Sequence, residues 1–128
     1  AVDISPQMLG IVRSRIRQNQ ISNVIPVQST IKNTMLEEKS VDVVLIVDAY
    51  HEFSHPREMA LSINRALSEN GRLILIEYRA EDPSVMIKPL HKMTQKQAKA
   101  EMQAVGFKWE KTLDLVPQQH FMVFRKGA

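Results

Sequence analysis

Two groups of polar residues in this 128-residue chain sit where chemistry can be done. The first is Asp48-Ala49-Tyr50-His51-Glu52, which begins abruptly after the apolar run Val41-Asp42-Val43-Val44-Leu45-Ile46-Val47. An imidazole titrates near neutral pH, so His51 is the leading candidate for a general base, with Tyr50 and His120 as further catalytic candidates. The second is Asp3, at a strand end just before the helix start Ser5-Pro6. A carboxylate there can accept two hydrogen bonds from vicinal hydroxyls such as those of a ribose. It can also simply favour the positive start of the helix. Glu77, Arg79, His91 and Gln119 fall near the ends of later strands and are candidates to face a substrate. The four histidines follow no ligand spacing and cysteine is absent, so no metal site is expected.

The elements that position these residues are legible from periodicity. Ser5 and Pro6 supply an N-cap and a first helical residue, and Leu9, Val12 and Ile16 continue at helical spacing to about residue 19. Residues 23–28 read as a short strand held to a sheet edge by Pro26, and residues 31–40 as a loop or a single helical turn. Val41–Val47 is β-branched and almost continuously apolar, as in a parallel strand covered on both faces. A helix opens at His55-Pro56 with Met59, Ala60, Ile63, Ala66 and Leu67 as its apolar stripe. Asn70-Gly71 is expected to end it, with Gly in the left-handed conformation. Residues 72–78 form a second buried strand, and 79–93 a polar loop. Thr94 caps a third helix stopped by Gly106, and residues 109–116 and 120–125 form a closing hairpin. Alternation of this kind gives a parallel sheet flanked by helices, with right-handed crossovers.

Composition bounds the remainder. The chain is 44% hydrophobic and 24% charged, the balance of one globular domain over residues 1–128. The net charge of +3 includes Arg13, Arg15 and Arg17, whose two-residue spacing scatters them around a helix. That pattern lacks the single basic face of a nucleic-acid binder. The longest apolar run falls far short of the ~20 residues that span a bilayer, so no membrane segment is expected. A cytoplasmic location is the default expectation.

The stretches VDISPQML, SVDVVLIVDAYHEFSHP and NGRLILIEYRAEDP, with AVGF before a final strand pair, resemble the class I S-adenosylmethionine-dependent methyltransferases of the small-molecule type. The resemblance covers essentially the whole chain. It implies a Rossmann-like three-layer αβα sandwich, mostly parallel, with a C-terminal hairpin inserting one antiparallel strand. It implies S-adenosylmethionine as cofactor, held by Asp3 on the ribose, Ile4 on the adenine, Ser29 and Thr30 nearby, and Asp48 and Ala49 at the next strand end. A small-molecule methyl acceptor then lies by Tyr50 and His51. Family members open with a strand and a glycine-rich turn that cradles the cofactor's methionine part. Here Gly10, Gly71, Gly106 and Gly127 lie in no such turn. The resemblance thus describes an N-terminally truncated, partial domain with impaired methyl transfer. The absent strand would lie between the Val2 and Val43 strands, which are expected to pair directly or to associate two chains through their exposed edges. Two other readings stay open: a non-catalytic interaction module, and a dinucleotide-binding dehydrogenase lobe without its fingerprint.

Overall fold

The computed structural model describes residues 1–127. In chain order the elements are strand β1 (Val2–Asp3), helix α1 (Pro6–Gln18), β2 (Val27–Gln28), β3 (Val41–Val47), a 3-10 turn at Tyr50–Glu52 and α2 (Pro56–Ala66). They continue with β4 (Leu67–Arg79), a 3-10 turn at Pro89–His91, β5 (Lys92–Met93), α3 (Gln95–Ala104), β6 (Phe107–Leu113) and β7 (Gln119–Lys126). The helix starts follow from their caps: Ser5 Oγ accepts the Met8 N–H at 3.2 Å, and Thr94 Oγ1 accepts that of Gln97 at 3.0 Å. Gly106, with φ of 90°, follows α3 in the left-handed region, as its position after the last apolar residue leads one to expect.

The strands form a Rossmann-like α/β arrangement in two sheets. β1 and β2 pair in parallel, and a second sheet runs β3-β4-β7-β6, with β5 added in parallel at the end of β4. β3 and β4 are parallel, whereas β7 is antiparallel to both neighbours, which is the terminal hairpin expected from the sequence. One face of this sheet is covered by α2 and α3. Met59, Ile63 and Met102 there meet Leu73, Leu75 and Phe124 in one core. Burying each such side chain stabilises the fold by roughly 1.5–3 kcal/mol. No helix among the described residues is long and apolar enough to cross a membrane.

Three local expectations are corrected. The strand expected at residues 23–28 is only Val27–Gln28, since Pro26 has no N–H for a ladder. α2 ends at Ala66 and passes straight into β4, with Leu67 already extended and fully buried, so Asn70-Gly71 lies inside the strand. Gly71 is not left-handed. It is small because a Cβ there would lie 2.9 Å from both Leu67 Cδ2 and the Ser68 carbonyl oxygen. Finally, β1 does not pair with β3. The β1–α1–β2 unit closes on itself, with Val27 N–H donating to the Ala1 carbonyl at 2.8 Å and Ser29 N–H to that of Asp3 at 3.0 Å. A groove of about 850 Å³ separates the facing edges, and Val43 and Leu45 on its β3 wall are 56% and 59% exposed.

Candidate functional site

The polar strand tips gather along one edge of the molecule. β3 ends at Val47, and Asp48 adopts φ of 49°, a left-handed conformation uncommon for residues other than glycine, asparagine and aspartate. The turn lets its carboxylate reach across to β7, where Gln119 Nε2 donates to Oδ2 at 2.6 Å. The other oxygen, Oδ1, is buried without a hydrogen-bond partner. A buried carboxylate oxygen left this way is costly, and Asp48 is not among the residues lining the groove between β1 and β3.

Asp3, Ile4, Ser29, Thr30 and Ala49 line the groove between β1 and β3, so five of the six cofactor candidates share one surface. One Asp3 oxygen accepts the Ser5 N–H at 2.8 Å, the helix-start role weighed from sequence; the pairing involves Oδ1 alone. Ser29 is buried beside it. Thr30 is engaged in its own loop, its Oγ1 accepting the N–H groups of Lys32 at 3.2 Å and Asn33 at 3.0 Å, which is the turn chemistry typical of threonine.

Beyond the strand tip, the 3-10 turn aims His51 back over β4. Glu77, in the buried register of β4, is fully enclosed, and both its oxygens serve His51. Oε1 accepts the His51 backbone N–H at 3.1 Å, and Oε2 lies 2.7 Å from Nδ1. A carboxylate accepting from Nδ1–H leaves the lone pair on Nε2, pointing away from the core. His91, on the Pro89–His91 turn, stacks near it, with ring centroids 5.1 Å apart. Directly across the ladder from Glu77 stands His120, whose Nε2 lies 2.8 Å from Glu81 Oε1. Glu81 also accepts the Gln95 N–H at the start of α3 at 2.9 Å. Burial raises the pKa of Glu81, but the Gln95 and His120 hydrogen bonds outweigh it and hold the carboxyl below its usual range.

Several sequence candidates therefore have different work from that expected. Glu77 faces no substrate, because it is enclosed against His51. Arg79 is occupied in pinning the β6–β7 connection through the carbonyls of Gln119 and Val116 and the Asp114 carboxylate. Gln119 holds Asp48. Tyr50 lies in the core, where burial and then the nearby Glu101 carboxylate push its phenol well above the ordinary range, so it supplies no phenolate base. His120 is committed to Glu81 through Nε2. Sequence reasoning missed Glu81 altogether, and no spacing in the chain signals that it meets a residue 39 positions away.

An α/β sheet with a groove and polar side chains gathered at the carboxyl ends of its parallel strands is the architecture of nucleotide- and cofactor-binding proteins. Residues 1–75 match the family model described as a methyltransferase domain. The chain is 30% identical over 109 residues, 85% of its length, to an uncharacterised methyltransferase-like protein of Schizosaccharomyces pombe. It spans 40% of that relative's length. Among solved structures it is similar to a SAM-dependent methyltransferase from Aquifex aeolicus, with a TM-score of 0.88, 15% identity, and coverage of 97% of this chain and 66% of that one. It also resembles the trans-methyltransferase CalH in complex with SAH, with a TM-score of 0.80, 17% identity, and coverage of 98% and 42%. The chain belongs to the methyltransferase-domain family.

Proposed function

We propose that the protein uses S-adenosylmethionine to methylate a small molecule, with the cofactor in the β1–β3 groove and the acceptor beside His51. The observation that carries this reading is the groove between β1 and β3 itself, lined by Asp3, Ile4, Ser29, Thr30 and Ala49. These residues fit that cofactor: Asp3 for the ribose hydroxyls, Ile4 for the adenine face, and the Ser29 and Thr30 hydroxyls beside them. The cofactor supplies an activated methyl group, so the protein's task is orientation and exclusion of water. His51 presents Nε2 toward the acceptor, where it can take a proton from the nucleophile, while Glu77 fixes the ring. None of the four glycines among these 128 residues lines the groove.

Isothermal titration with S-adenosylhomocysteine tests this. Saturable binding is expected, weakened by Asp3→Ala by about 1–3 kcal/mol, the scale of hydrogen bonds to a charged group. Saturable NAD binding with no S-adenosylhomocysteine binding would instead support a dehydrogenase lobe. The exposed Val43, Leu45 and Val47 favour a second property, association of chains through the groove edges.

A further inference from the structure

We infer that His51, His91 and Glu52 form a binding site for a divalent transition-metal ion, a site the sequence spacing did not disclose. The ligand atoms these three side chains offer all lie within 4.8 Å of one another. Tetrahedral zinc, with bonds of about 2.0–2.1 Å, sets its donors roughly 3.3 Å apart, so a closure of about 1.5 Å at most is needed. The parts free to change rotamer are the exposed ones. Glu52 is 67% exposed at its side chain, with Oε1 3.8 Å from His51 Nε2, and His91 is exposed on its short turn. The anchored part is His51, whose side chain is only 7% exposed.

Glu77 gives the site its second, independent support. A fully buried carboxylate whose two oxygens both serve one histidine is the partner that orients a metal-bound imidazole and fixes its tautomer. Ring stacking with His91 alone requires no such buried charge. Two imidazoles and one carboxylate suit zinc, iron(II), cobalt(II) or nickel(II), and leave at least one coordination position open. Glu52 lines the β1–β3 groove, whereas His51 lines a separate cavity of about 290 Å³ floored by Met93 and Gln97. The ion therefore sits between the two spaces. If the proposed methyl-transfer reading holds, its open position meets the acceptor, and it can polarise an acceptor oxygen or nitrogen in place of proton uptake by His51. The binding of the ion does not depend on that reading.

The test is titration of the full chain with zinc(II) alone by calorimetry, paralleled by cobalt(II), whose visible absorption reports four-coordination. One equivalent is expected to bind, with affinity lowered tenfold or more by His91→Ala and by Glu52→Gln, and unchanged by His55→Ala. Both ligand variants alter exposed side chains, and their circular dichroism melts without metal should match the parent. The stabilisation of the parent by zinc should be lost in His91→Ala. No binding by the parent, or equal affinity in parent, His91→Ala and Glu52→Gln, overturns the site. A chain that binds S-adenosylhomocysteine but no zinc refutes the metal site alone. One that binds zinc but no S-adenosylhomocysteine refutes the cofactor reading alone.

Discussion

Replacing Glu77 by Gln should invert the tautomer of His51. In the parent, Oε1 accepts the His51 backbone N–H and Oε2 faces Nδ1 at 2.7 Å, so the ring proton sits on Nδ1 and the lone pair on Nε2. An amide of the same shape has only one accepting oxygen, and either placement sets its NH2 against a donor. The backbone N–H cannot change, but the ring can, by moving its proton to Nε2. Restoring the parent tautomer in the variant would oppose two buried donors, a penalty of roughly 1–3 kcal/mol, which corresponds to a factor of about 5–150 in equilibrium. Two-dimensional nitrogen-15 NMR of the histidine rings at alkaline pH reads the tautomer directly. The parent should show an unprotonated Nε2 at His51 and the variant a protonated one. Zinc affinity, or methyl transfer once an acceptor is found, should fall by the same factor. An unchanged tautomer in Glu77→Gln would refute the orienting role of Glu77 and the assignment of Nε2 as the reacting nitrogen.

Other outcomes follow from the same geometry. Asp48→Asn tests the buried Oδ1, which has no hydrogen-bond partner, by a thermal melt. It should not lower the melting temperature, because Asn tolerates the φ of 49° equally well and sheds a buried anionic oxygen. Gly71→Ala should destabilise the chain by about 1–3 kcal/mol, since the new Cβ would meet Leu67 and the Ser68 carbonyl at 2.9 Å; a thermal melt checks this. Glu81→Gln should cost stability near neutral pH but little in strong acid. A carboxyl whose folded pKa is depressed stabilises above its unfolded pKa and loses that effect as pH falls through the folded value. The side chain is 45% exposed, so the effect is held to about 1 kcal/mol or less, read as the difference in melting temperature between pH 6 and pH 3. Leu45→Lys, on the open wall of the groove, should shift sedimentation from associated species toward monomer.

The local structure was legible because its causes are local. The seven residues of β3 follow from an almost continuously apolar, mostly β-branched run, and the starts of α1 and α3 from one hydroxyl each. The end of α2 was misread because Gly71 satisfies two different demands with the same atom count. A left-handed cap and a close approach both exclude a Cβ, and only the packing of Leu67 says which applies. The site was legible as a set of residues but not as pairs. Which carboxylate meets which histidine depends on the alignment of β3, β4 and β7. That alignment brings His51 to Glu77 across 26 positions and Glu81 to His120 across 39. Candidates chosen by strand-end position therefore included Arg79 and Gln119, which the fold spends on its own connections.

The spatial order β3-β4-β7-β6 bears on how the molecule is made. The strand that joins the two halves of the larger sheet, β7, follows all its other strands in the sequence, and β6 has no other neighbour in it. During synthesis, β6 and the α3 face behind it remain without a template until Gln119–Lys126 has emerged. A chain terminated before Gln119 would thus lack a central strand of the sheet and not a dispensable tail.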